Sequence, residues 1–208
     1  MRSNGQKRPN ATRPVKAKQP AARHNATSSL PWKLLSTSHQ HTDRLGQAIG
    51  CVLRGGETIA LYGPLGAGKT AIVRGIAQGL GASPMAVTSP TFVMIHEYDQ
   101  GRLPLVHVDL YRIRTARELE STGLTEYFSG LTVTAIEWAD KGLAALPQDR
   151  IEITLHHRTV RSRTIQLLAT GPQSDEVLAR LRIQNSKTSR VHRTSPRQAL
   201  KKKATTRS

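Results

Sequence analysis

The chain has 208 residues, 37% of them apolar, with one cysteine and a formal net charge of +17. A lone Cys51 excludes a disulfide framework, and no apolar run approaches the roughly 18 residues of a membrane-spanning helix, so no membrane contact is expected. The amino terminus lacks the apolar centre of a secretory signal, and together these features point to a reducing, cytoplasmic compartment.

The charge sits at the ends. Residues 1–30 carry seven Lys/Arg and no acid, and residues 186–208 carry eight Lys/Arg and no acid. Both stretches are polar and rich in Pro, Ser, Thr and Asn, a composition that predicts disordered basic tails. The first also has the basic, acid-poor character of a transit peptide, but the second shares it, which favours tails at both ends. Their cations suit RNA phosphates, while the absence of Phe, Tyr and Trp from them removes base stacking. Contact with RNA through these tails would therefore add affinity without sequence readout, and the plain alternative is solvated tails that serve solubility. Residues 31–185 lie between them, nearly neutral, and read as one globular domain with a normal core.

Within that domain, Leu45, Ile49, Val52 and Leu53 recur at helical spacing, and Gly55-Gly56 stop the helix. "TIALY" (58–62) is a short apolar strand that runs straight into "GPLGAGKT" (63–70). Gly63, Gly68, Lys69 and Thr70 fill every fixed position of the P-loop pattern G-x-x-x-x-G-K-[ST], with Gly66 as a further glycine inside it. Such a loop turns its backbone N–H groups inward around phosphate oxygens. Glycine permits this because it reaches positive φ and places no Cβ between backbone and ligand. Ile72, Val73, Ile76, Ala77 and Leu80 then form one face of a helix that Gly81 ends. Strand, loop and helix stand in the order the motif needs, which places nucleotide binding at Gly63, Pro64, Leu65, Gly66, Ala67, Gly68, Lys69, Thr70 and Ala71.

"TSPTF" (88–92) is a hydroxyl-rich loop whose position suits a switch segment that senses a γ-phosphate, while its Ser-Pro equally suits an ordinary turn. Residues 91–112 read as two strands around a turn at Asp99–Arg102. "LTVTAIEWAD" (131–140) begins as a strand, "RIEITLHH" (150–157) and "TIQLLAT" (164–170) form a second hairpin, and "SDEVLARLRI" (174–183) is a closing helix capped by Ser174. Strands interleaved with helices predict an α/β fold: a central sheet flanked by helices in a single P-loop NTPase-like domain.

A nucleoside triphosphate arrives with Mg²⁺, which takes oxygen ligands and keeps several waters. Thr70 offers a hydroxyl, and two strand ends offer carboxylates: "PLVHVD" ends at Asp109 and "VTAIE" at Glu137. Chemistry alone does not divide metal ligation from water orientation between them. His96, His107, His156 and His157 have no metal-ligand spacing and read as core or surface residues, and Trp138 reads as packing.

Taken together, "GPLGAGKT", "SPTF", "HEYD", "HVDLYR" and "IEW", in order over about residues 40–140, resemble the bacterial TsaE (YjeE) family of tRNA threonylcarbamoyladenosine biosynthesis. The resemblance implies a compact P-loop fold, ATP and Mg²⁺ as ligands, and slow ATP hydrolysis that supports the TsaB–TsaD pair. It implies Lys69, Asp109 and Glu137 as catalytic residues, Thr70 and Glu137 as metal ligands, and Thr91 as the switch residue. Pro64 and Ala71 depart from the acid and the second threonine that the family often carries there. Neither position must donate a side chain to phosphate. A GTPase-like switch would usually carry an N-K-x-D guanine-reading element, which is missing from the sequence, and a small-molecule kinase would need cationic clamps, for which Arg112 and Arg114 are the obvious candidates.

Overall fold

Short apolar runs become strands of one mixed sheet, and the stretches of helical spacing cover its faces. The computed structural model describes residues 30–83, 87–90 and 94–191. Thr91, and the tail expectations for residues 1–29 and 192–208, lie outside the described residues. In chain order the elements are β1 (Trp32–Ser36), α1 (His39–Val52), β2 (Thr58–Tyr62), α2 (Lys69–Gly79), β3 (Ile95–Tyr98), β4 (Leu105–Asp109), α3 (Ala116–Ser121), β5 (Val133–Glu137), β6 (Ile151–His157), β7 (Arg163–Ala169) and α4 (Pro172–Val191). Short 3₁₀ segments, Leu124–Phe128 and Ala139–Ala145, flank β5.

The seven strands are ordered β1-β7-β6-β2-β5-β4-β3. Strands β6, β2, β5 and β4 are mutually parallel, and β3, β7 and β1 add antiparallel edges. This is the expected α/β sheet. The parallel centre needs cover on both faces, and β4 and β5 are buried at every residue, including the polar His107, Asp109, Thr134 and Glu137. On one face lie Ile49, Leu53, Ile72, Ile76, Val177 and Leu181, from α1, α2, α4 and the residue that ends α1. On the other lie Leu110, Ile113, Leu119 and Leu124. Among the described residues no helix is long and apolar enough to cross a membrane.

Helices α1 and α2 touch backbone to backbone. A Cβ at Gly46 or Gly50 would collide with the carbonyls of Ile72 and Ile76, and one at Gly75 or Gly79 with those of Asp43 and Gln47. This close seam holds α2 from Ile72 to Gly79 against α1. Ser38 caps α1 by accepting from His41 N at 3.1 Å, and Asp43 pairs with Arg74 across the seam at 3.0 Å.

Two local expectations change. Ser174 lies inside the first turn of α4, which begins at Pro172. The carboxylate of Asp149 accepts from Gln173 N at 2.7 Å and from Ser174 N at 3.0 Å, so the cap comes from a distant loop. The same helix runs to Val191, past residue 185 where the domain was expected to end. Strand β1 was not read from the sequence; it completes the edge by pairing Trp32 with Leu167 through Ser36 with Arg163.

Candidate functional site

Strand β2 ends at Tyr62 in mid-sheet, and the chain turns at once into the glycine loop. Gly63 has φ +137°, and a Cβ there would strike the Leu155 carbonyl of neighbouring β6. Gly68 has φ +104° and opens α2. The loop between them is pinned by Ala67 N donating to Pro64 O at 3.2 Å, with Leu65 exposed at its tip. The loop therefore sits at the amino end of α2, where unpaired N–H groups and the helix dipole favour an anion.

Lys69 is the first residue of α2 and is buried. Its Nζ donates to Gly63 O at 2.8 Å and Pro64 O at 3.0 Å, and lies 3.8 Å from the centroid of the Trp138 ring. Burial lowers the ammonium below its ordinary range, against the opposing pull of Glu137, Asp109 and Asp140. Trp138 is thus more than packing: its ring carries the lysine on its face. A positive φ of 56° at this bulky residue turns the chain as β5 ends, and Tyr111 lies against the ring with centroids 5.0 Å apart.

The two acids come together although they are 28 positions apart in sequence, because β4 and β5 are parallel neighbours with Asp109 opposite Glu137. Both are buried, and their partners differ. Glu137 Oε1 accepts from Thr70 Oγ1 at 2.7 Å and lies 2.9 Å from His107 Nε2. With the proton on Nε2 the imidazole donates to the carboxylate, and its buried Nδ1 has no partner. Asp109 Oδ2 accepts from Ser89 Oγ at 2.8 Å, and Oδ1 accepts from Tyr111 N at 2.9 Å. Glu137 therefore faces the glycine loop, and Asp109 faces the 87–90 segment.

A hydroxyl and a carboxylate in contact at the mouth of a phosphate loop are the hard-oxygen donors that Mg²⁺ takes alongside phosphate and water. The residues present fit that ion. Of the expected site residues, Gly63 through Ala71, Asp109 and Glu137 are brought to one end of the sheet. Sequence reasoning missed Ser89, which sat inside the quoted hydroxyl-rich loop, and His107, two residues before Asp109 in β4. A side chain two positions before a strand-end acid leaves the sheet on the same face, and that spacing was the available signal.

The sequence pattern described as "Threonylcarbamoyl adenosine biosynthesis protein TsaE" matches residues 36–165, a span that includes the glycine loop and both acids. A Bacillus subtilis (strain 168) protein named "tRNA threonylcarbamoyladenosine biosynthesis protein TsaE" is 38% identical over 142 residues, covering 68% of this chain and 87% of its own length. A Treponema pallidum (strain Nichols) protein of the same name is 38% identical over 123 residues, covering 59% of this chain and 90% of its own. The crystal structure of Bacillus subtilis YdiB superposes with a TM-score of 0.65 at 32% identity, covering 74% of this chain and 96% of that one.

Proposed function

Because the chain belongs to the TsaE family of threonylcarbamoyl adenosine biosynthesis proteins, we propose that it is an Mg²⁺-dependent ATPase whose nucleotide cycle supports the TsaB–TsaD pair in tRNA modification. The observation that carries this reading is the contact of Thr70 Oγ1 with Glu137 Oε1 beside a P-loop whose lysine is buried against the loop.

Each residue then has a task. The N–H groups of Gly63 to Ala71 wrap the phosphates, and Lys69 exchanges its loop carbonyls for phosphate oxygens. Thr70 and Glu137 would hold Mg²⁺, which when bound neutralises charge on the phosphate oxygens. His107 keeps the Glu137 carboxylate aimed at the loop. Asp109, held by Tyr111 N on one oxygen and by Ser89 Oγ on the other, would orient the attacking water by exchanging the serine contact for it. Hydrolysis by the protein alone is slow, because charge stabilisation at the transferring oxygens is often completed from outside. TsaB–TsaD would supply that completion by contacting the 87–90 segment that bonds Asp109.

The test is phosphate release from ATP with and without TsaB–TsaD. Slow release that rises on adding the pair supports the reading. Fast hydrolysis indifferent to the pair, or transfer of phosphate to a small acceptor, refutes it.

A further inference from the structure

Arg163 opens β7 and is 1% exposed, the largest side chain among the fully buried ones. A guanidinium cannot shed its proton inside a protein, so a buried one calls for a countercharge. Among the described residues no carboxylate forms an ion pair with it. Its Nη1 donates to Thr42 Oγ1 at 2.9 Å, and that hydroxyl belongs to a neutral cluster with Ser36 Oγ at 2.8 Å and the Ser38 carbonyl at 3.3 Å. Its Nε is buried with no hydrogen-bond partner at all.

The location explains the cost. A Cβ built on Gly68 would lie 3.1 Å from Arg163 Nη1 and 3.7 Å from its Cζ, with Thr42 Cγ2 also at 3.7 Å. The guanidinium therefore packs directly behind the residue that opens α2, one position before Lys69. Gly68 holds φ +104° there, and a Cβ at that position would press on the guanidinium. Three sources of positive potential converge on the loop: the amino end of α2, the Lys69 ammonium and Arg163. Lys69 has Glu137, Asp109 and Asp140 within electrostatic reach, whereas Arg163 has neutral hydroxyls.

We propose that Arg163 is the built-in countercharge of the phosphate loop, a positioning residue whose buried cation is balanced only when a polyphosphate fills the loop. It acts through Gly68, steadying the left-handed turn from behind while its field favours the anion in front. This rests on the reading of the loop as a nucleotide site. It adds that the buried Arg163 cation contributes to the affinity of the loop for polyphosphate without touching it.

The experiment uses the full chain and two probes, ATP with Mg²⁺ and inorganic tripolyphosphate, titrated calorimetrically alongside melting curves without ligand. Arg163→Met removes the charge and keeps the length; Arg163→Lys keeps the charge. Arg163→Met should weaken both probes by about tenfold or more, the scale of losing one charge-assisted contribution. Without ligand it should melt no lower than wild type, since replacing a buried unbalanced charge by an apolar chain is neutral or stabilising. Arg163→Lys should keep tripolyphosphate affinity within about threefold of wild type. Arg163→Met binding both probes like wild type overturns the inference. So does a loss that Arg163→Lys shares in full alongside a lowered melting point, because packing would then be the cause. Wild type that takes neither probe removes the nucleotide-site reading together with this one, whereas indifference of a binding-competent protein to residue 163 removes this one alone.

Discussion

Lys69→Ala isolates the contribution of one ammonium to nucleotide affinity, and the contacts of the side chain bound its size. Nζ already makes two bonds, to Gly63 O and Pro64 O, and rests on the Trp138 ring. Binding exchanges these carbonyl contacts for contacts to anionic oxygens, so only the difference counts. One charge-assisted hydrogen bond, about 1.5–3 kcal/mol, is a fair measure of it. At 1.4 kcal/mol per decade the dissociation constant should rise about 10- to 150-fold. The fold should survive: Gly63 is partly exposed and Pro64 exposed, so water can take over their carbonyls, and a desolvated charge is lost with the side chain. ATP titration with Mg²⁺ present, beside a melting curve, reads both effects. The Trp138 ring, relieved of its cation, also gives a fluorescence signal for the exchange. A folded variant that binds ATP within about twofold of wild type would refute the reasoning, since the ammonium would then contribute less than about half a kcal/mol.

The remaining predictions follow the same site outward. Glu137→Gln keeps the shape but removes the charge beside Thr70, so the Mg²⁺ concentration needed for ATP binding should rise; identical Mg²⁺ titrations would contradict the assignment. Asp109→Asn keeps an acceptor for Tyr111 N but loses the carboxylate, so ATP·Mg²⁺ should bind almost normally while hydrolysis falls at least about a hundredfold. Because burial lowers the Lys69 ammonium below 10.5 and phosphate would raise it again, binding between the two values should take up protons. Affinity should therefore fall as pH rises through that window; calorimetry in buffers of different ionisation enthalpy reads the sign, and proton release would be the wrong one. Gly75→Ala drives a methyl into the Asp43 carbonyl and should destabilise the fold by about 1–3 kcal/mol or more in a urea melt. An unchanged midpoint would mean the α1–α2 seam is looser than its geometry implies.

Much of the architecture was legible because its signals are local. "TIALY" and the glycine loop are contiguous, and φ demands at Gly63 and Gly68 leave a direct mark on the sequence. The hairpins at 95–109 and 151–169 are legible for the same reason, each being two apolar runs around polar turn residues. What escaped depends on pairings between distant segments. That Asp109 and Glu137 stand side by side follows from β4 and β5 being neighbours in the sheet, which periodicity within either strand does not encode. The cap of α4 is invisible locally because Asp149 reaches it from before β6. Strand β1 has only five residues, and its partner β7 lies near the far end of the domain. The positive φ of Trp138 has no local signature either, since bulky residues adopt it only where surrounding contacts impose it.

The groups that would meet a nucleotide also hydrogen-bond to one another. Lys69 holds its own loop, Thr70 donates to Glu137, and Ser89 donates to Asp109. Every catalytic contact must therefore replace an existing hydrogen bond, and the net gain of each exchange is smaller than a bond counted in isolation. Phosphates can displace the lysine and threonine contacts because they bring charge into the loop. Nothing in a bound phosphate addresses the Ser89–Asp109 contact, which lies on the 87–90 side of the site. On the proposed function, nucleotide binding and water activation would thus be separable. The first would be carried by the loop and the second by the contact of Asp109 with the 87–90 segment.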